Sequence, residues 1–497
     1  MNDQSSETPS PRLPAPSRRG FLGGSGAVAL GAAGASLVPG AAEASEHGGA
    51  SDALLSGLNW PAGPGRPVRP QPADPELRRI LAEIDPARIE ANIRKLVLFG
   101  TRSTISVQDD PHHGIGAARD WIARQMRRYA AASGGRMVVT VPSYVQQPAD
   151  RVPTATRISN VVATLRGSVE PDRTYVISGH YDSRVTDVAN STAFAPGADD
   201  DASGVAVSLE LARVMATRRP RCTLVFAAVA GEEQGLYGST FLAQQLKDSG
   251  AQVEGMFTND IVGSSHDENG RRDAHSLRLF SEGVPANEDA DRQKLRISIG
   301  GENDSPSREL ARFVNEVAGR STTGMNIRMI YREDRFLRGG DNLPFLAQGW
   351  PACRFTEPHE NFAHQHQDVR VEDGVQYGDL LRFVDVHYVA RVARVNAAWM
   401  WSISQAPRLP RDVVVDVTDL TNQTTLRWTR DTDPHRHGYE VVWRPTINPV
   451  WTHRIKVGDV GEATVDVSKD NVILGVRAVG KDGHRSPAVF PFPSPSA

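Results

Sequence analysis

Three consecutive carboxylates, Asp199, Asp200 and Asp201, lie among small residues in Pro196-Gly-Ala-Asp-Asp-Asp-Ala-Ser-Gly204, directly before an apolar helical run from Val205 to Met215. An acid-rich helix start is unremarkable by itself, because the macrodipole favours anions there. The neighbours of this one suggest chemistry. His180-Tyr181-Asp182 closes one strand pattern, Glu232-Glu233 closes another, and Asp260 closes a third. In open parallel sheets ligands bind beyond the carboxyl ends of the strands, so these side chains are expected to meet in one crevice. A lone histidine at a strand end is usually a hydrogen-bonded structural residue. Several carboxylates buried together without cations would be prohibitively costly. The set reads as a metal site.

The elements that must position these residues alternate along the chain. Strand patterns at Ser159–Leu165, Arg173–His180, Cys222–Ala230, Met256–Val262, Ser276–Ser281 and Ala352–Thr356 are interleaved with helical ones at Val205–Met215, Tyr237–Leu246 and Ser305–Ala318. A long late helix is marked by Leu380, Val384, Tyr388 and Val392. Near-continuous apolar strands alternating with helices predict an α/β fold, a mostly parallel sheet with helices on both faces. Asp85-Pro86 starts a helix upstream, with a capping carboxylate and a proline in the first turn. The resulting α/β domain spans residues 76–404.

With its motifs in this order across roughly residues 85–402, the chain resembles the co-catalytic dizinc aminopeptidases of the bacterial leucyl and Streptomyces type. The resemblance rests on His180-x-Asp182, the Pro196–Gly204 loop, Gly231-Glu-Glu-Gln-Gly-Leu-Tyr-Gly-Ser239, Thr258-Asn-Asp260 and a later His364-x-x-x-Asp368. It implies that Asp200 bridges two zinc ions, that His180 and Asp260 complete one site, and that Glu233 and His364 complete the other. Glu232 would be the general base toward a water held between the metals. Asp182, two residues beyond His180 and so on the same side of an extended strand, would accept the second imidazole N–H. His366 lies nearby, and His364 is preferred on its spacing to Asp368. Ala363 stands where Streptomyces-type members carry a tyrosine. Arg338-Gly-Gly-Asp341 resembles the family's Asp-containing loop with its arginine displaced by one position, which makes Arg338 and Asp341 expected substrate contacts. The implied activity is removal of the N-terminal residue from peptides or proteins with a free N-terminus, by a monomer. A glutaminyl-cyclase-like single-zinc acyltransferase and an inactive binding module are the alternatives, and the full ligand set and Glu232 disfavour both.

Beyond Ser404 helical patterns vanish, and short strands with turn signals appear at Val413–Val417, Thr424–Trp428, Tyr439–Trp443, Ala463–Val467 and Ile473–Val479. Residues 405–497 therefore read as a separable all-β sandwich, which resembles a fibronectin type III module. At the other end, Ser17-Arg-Arg-Gly-Phe-Leu22, a weakly apolar Gly/Ala run and Ala42-Glu-Ala44 resemble a twin-arginine export signal over residues 1–44. This predicts a periplasmic or extracellular protein with no membrane span after signal removal. Residues 45–75, rich in Gly and Pro, read as a flexible leader or wrapping arm. The formal charge of the 497-residue chain is -3, which argues against a nucleic-acid partner. Its two cysteines, Cys222 and Cys353, fall in separate buried strands and are expected to be unpaired.

Overall fold

A computed structural model describes residues 60–494 of the chain. Eight strands form the central sheet: β1 (Met137–Thr140), β2 (Val161–Leu165), β3 (Glu170–His180), β4 (Cys222–Val229), β5 (Gln252–Asn259), β6 (Ser276–Ser281), β7 (Asn326–Ile330) and β8 (Ala352–Thr356), in the order β7-β6-β8-β5-β3-β4-β2-β1. The middle of the sheet, β8-β5-β3-β4, is parallel. The flanks depart from the expected parallel arrangement: β2 is antiparallel to β4, β1 to β2, and β6 to β8. On one flank the cause is the short link Arg166–Val169, which cannot hold a crossover helix and so forces β2 to run opposite to β3. Every residue of β4 is buried, as a strand covered on both faces requires.

Helices α1 (Pro75–Glu83), α2 (Pro86–Val97), α3 (Gly114–Ala131), α4 (Ala202–Met215), α5 (Tyr237–Asp248), α6 (Pro306–Ala318) and α7 (Val386–Gln405) cover the sheet. One face buries a core including Ile93, Ile122, Leu209, Val314 and Trp399. On the other face Leu242 and Ala243 of α5 pack with Phe345 and Leu346. Capping carboxylates set three of the helix starts. Asp74 accepts from Leu77 N–H at 2.8 Å, Asp85 from Ala87 N–H at 2.9 Å and Asp201 from Gly204 N–H at 2.9 Å. Each satisfies a donor that the first turn leaves without a partner.

After α7 the chain forms β9 (Arg411–Val415), β10 (Thr424–Thr429), β11 (Arg436–Pro445), β12 (His453–Gly458), β13 (Glu462–Val465) and β14 (Val472–Gly480). One sheet runs β13-β10-β9 and the other β12-β11-β14, around a core of Leu426, Trp428, Tyr439, Val441, Trp443 and Val476. The sandwich also packs against the preceding domain. Arg444 on β11 grips Asp304 with bonds of 2.7 and 2.8 Å, Trp451 Nε1 donates to Glu309 at 2.9 Å, and Arg477 pairs with Glu316 at 2.7 Å. The described residues belong to one compact unit.

Residues 60–74 form the wrapping arm: Arg66–Pro67 adds to the edge of β12, Trp443 Nε1 donates to Pro64 O at 2.8 Å, and the Gln71 amide meets His484 Nδ1 at 3.1 Å. Residues 1–44, where an export signal is expected, and residues 45–59 lie outside the described residues. Cys222 and Cys353 are buried and unpaired. No helix among the described residues is long and apolar enough to cross a membrane.

Candidate metal centre

The site sits at the carboxyl ends of the central parallel strands. His180 is the last residue of β3, Glu232-Glu233 open a one-turn helix just after β4, Asp260 follows β5, and Asp200 stands in the loop before α4. Close backbone contact lets that loop reach the strands. A Cβ on Gly204 would lie 2.0 Å from Asn259 O, and one on Gly197, whose φ is +49°, would lie 2.5 Å from Ser183 Cβ. Only glycine fits such approaches. The loop is held from outside by Asp379, whose carboxylate accepts the Asp199 and Asp200 N–H groups at 2.8 Å each, and by buried Arg102, which donates to Pro196 O and Gly197 O. The Asp200–Asp201 peptide is cis, and the two carboxylates serve different partners. Asp201 accepts from His180 N–H at 2.9 Å, while Asp200 faces the imidazoles.

Two triads come together: His180, Asp200 and Asp260, and Asp200, Glu233 and His366, the donor atoms of each lying within 4.8 Å of one another. Asp200 belongs to both. Its Oδ1 is 3.0 Å from His180 Nε2 and its Oδ2 is 2.8 Å from His366 Nε2, which is also 3.2 Å from Glu233 Oε1. His180 Nε2 and Glu233 Oε1 are both buried, and neither makes a well-aligned hydrogen bond to the triad members beside it. Buried polar atoms left this way are costly unless a cation completes them, and imidazole with carboxylate is a zinc-compatible donor set.

The expected assignment of His364 is corrected to His366. The His364 ring stacks on Phe383 with centroids 3.6 Å apart and lines a separate small cavity with Asp379 and Glu357. The chain turns between the two histidines, with His366 at a φ of +54°, so only the second imidazole faces Asp200. Asp341 is also displaced from its expected role. It is buried, neither oxygen has a hydrogen-bond partner, and it does not line the open cleft. Arg338 does line the cleft, 3.2 Å from Glu360.

Asp182 approaches His180 Nδ1 at 3.4 Å and accepts from Thr104 Oγ1 at 3.0 Å and Glu233 N–H at 3.2 Å. It thus connects ligands of both triads. Asp260 is fastened by Arg354, buried and 2.9 Å away. Burial alone would raise this carboxyl, and Arg354 and His180 together outweigh it, holding Asp260 at about 2. Glu232 lines the cleft beside Asp200, Glu233 and Asp260, and burial, reinforced by Asp260 and Glu233 against the opposing His180, raises its carboxyl well above the usual range. Arg354 and Asp379 escaped the sequence reading. Each lies far along the chain from the residue it holds, and no local motif marks it.

Residues 160–386 match the model of peptidase family M28. A protein of Leptosphaeria maculans named "Probable zinc metalloprotease" is 58% identical over 86% of this chain and 99% of its own length. One of Pyricularia oryzae with the same name is 56% identical, over 89% of this chain and 90% of its own length. Among solved structures, LapB from Legionella pneumophila is 19% identical with a TM-score of 0.48, covering 71% of this chain and 80% of that one. The chain belongs to peptidase family M28 and is a zinc metallopeptidase.

Proposed function

We propose that this metallopeptidase is an exported aminopeptidase that holds two zinc ions. The observation that supports two ions is the sharing of Asp200 between two complete triads, one open carboxylate, Glu232, standing beside both. A single-zinc transferase has no use for the second triad. His180, Asp260 and Asp200 would hold one ion, and Asp200, Glu233 and His366 the other. When bound, zinc supplies Lewis acidity toward the scissile carbonyl and lowers the pKa of water.

The remaining steps belong to the chain. Glu232 takes a proton from the attacking water and returns it to the departing amine nitrogen. Asp182 keeps the His180 ring in place through Nδ1 and, by accepting the Glu233 N–H, fixes the one-turn helix that carries Glu232. Arg354 fixes Asp260, and Asp379 fixes the Asp200 backbone. Carboxylates on the cleft floor would receive a substrate's free ammonium group, which favours cleavage at the N-terminus. In the C-terminal sandwich, the β13-β10-β9 and β12-β11-β14 pairing supports a fibronectin type III-like reading. Twin-arginine export and a monomeric state complete the proposal.

A panel of aminoacyl anilides with free and blocked N-termini, assayed with and without chelator, tests the activity. Hydrolysis confined to free amines and abolished by chelator is expected. Equal turnover of blocked substrates would overturn the aminopeptidase reading. Zinc content that never rises above one ion per chain would overturn the two-ion reading.

A further inference from the structure

The cleft over the metal-binding carboxylates, about 580 Å³, is lined by four arginines, Arg151, Arg184, Arg335 and Arg338. They approach from different parts of the chain: Arg151 follows β1, Arg184 follows β3, and Arg335 and Arg338 precede β8. Arg335 is committed to Glu360 at 2.9 Å and Asp334 at 3.0 Å, and Arg338 shares that same Glu360. The other two are different. The hydrogen bonds of Arg151 go only to Glu233 O, at 3.2 Å, and those of Arg184 only to Val185 O and Thr186 O. Among the described residues neither pairs with a carboxylate.

The acidic groups of the cleft are Asp200, Glu232, Glu233 and Asp260, all of them at the metal centre. Two divalent cations would offset most of that acidity, and Arg151 and Arg184, which no carboxylate pairs, line the cleft above it. A guanidinium presents a planar fork that fits a carboxylate with two parallel bonds, and a walled cleft concentrates its field. We propose that the site selects peptides carrying a carboxylate next to the scissile bond, either an Asp or Glu side chain or the free C-terminus of a dipeptide. This rests on the aminopeptidase reading and names its substrate class.

The test compares matched pairs on the zinc-loaded full chain: glutamyl against glutaminyl anilide, and Ala-Ala against its C-terminal amide. The acid is expected to exceed its neutral partner in kcat/KM by about tenfold, equivalent to about 1.4 kcal/mol, with the ratio shrinking as salt is raised. A preference in the anilide pair alone assigns the side chain, and one in the dipeptide pair alone assigns the C-terminus. Ratios at or below one in both pairs would overturn the proposal. The acid-to-neutral ratio should fall toward one in Arg151→Gln or Arg184→Gln. A ratio unchanged in both would overturn the role given to the arginines. If no free-amine substrate is cleaved by protein that holds zinc, the aminopeptidase reading fails. The proposal is then decided by calorimetry of the same peptide pairs on zinc-loaded Glu232→Gln: tighter binding of the acids supports it, and equal binding overturns it.

Discussion

His366 and His364 lie two positions apart, yet one faces Asp200 and Glu233 while the other stacks on Phe383. His366→Ala should therefore reduce zinc content and activity together, and His364→Ala should keep its zinc, as metal analysis of the purified variants will check. The same imidazole makes zinc binding depend on pH. In protein stripped of metal, burial alone would lower His366, but Glu233 and Asp200 outweigh it and raise it from 6.5 to about 10. Zinc must then displace a proton, so affinity should climb with pH up to about 10, by as much as roughly tenfold per unit. The stripped protein should behave oppositely: stability from protonated His366 is complete below pH 6.5 and is lost as pH rises through about 10. Calorimetric melting with and without zinc across this range separates the two trends. Most of the candidate ligand set was legible in the sequence because strand ends and short motifs carry His180, Asp200, Glu233 and Asp260. The choice of His366 was not, because a left-handed residue in an irregular turn leaves no periodic trace.

The junction of α4 with β5 shows how an element aims a side chain. A methyl group on Gly204 would collide with the Asn259 carbonyl at 2.0 Å, and backbone on both sides leaves little room to yield. Gly204→Ala should push the Asp200 loop away from Asp260, lowering zinc content and costing about 1–3 kcal/mol of stability, as for overpacked cores generally. Thermal melts beside metal analysis will show both losses. The strands and helices of the central sheet followed from their apolar patterns, including Cys222–Val229 and Ala202–Met215, which differ from expectation only near their ends. What the patterns lacked was pairing direction. The edge strand Asn326–Ile330 and the exposed β12 also went unrecognised, since a strand at or near a sheet edge buries too little to show a clear alternation.

At the scale of the whole molecule the sandwich behaves as a structural partner of the peptidase core. Arg444 and Asp304 form a two-bond pair whose side chains are 2% and 0% exposed, and Asp304 also meets Arg312 at 3.1 Å, so losing Arg444 leaves that carboxylate with one buried cation instead of two. Arg444→Ala should destabilise the protein by about 1.5–3 kcal/mol, a drop that denaturant unfolding will measure. For the same reason a chain ending at Gln405 is expected to be insoluble or to melt far below the full chain, whereas an equally stable, active truncation would show that the two parts are independent. The arm adds a constraint of another kind. Asp74 bonds to the His484 ring at 3.0 Å across 410 residues of chain, and the strand Arg66–Pro67 has its partner in β12. During synthesis the arm emerges well before its docking surface, so a nascent chain carries it unmoored until β12 and His484 have been made. Ribosome-stalled chains ending before residue 453 should be clipped by protease between Pro61 and Ala73, and released full-length chains should resist. Docking of the arm thus reports that synthesis has passed His484.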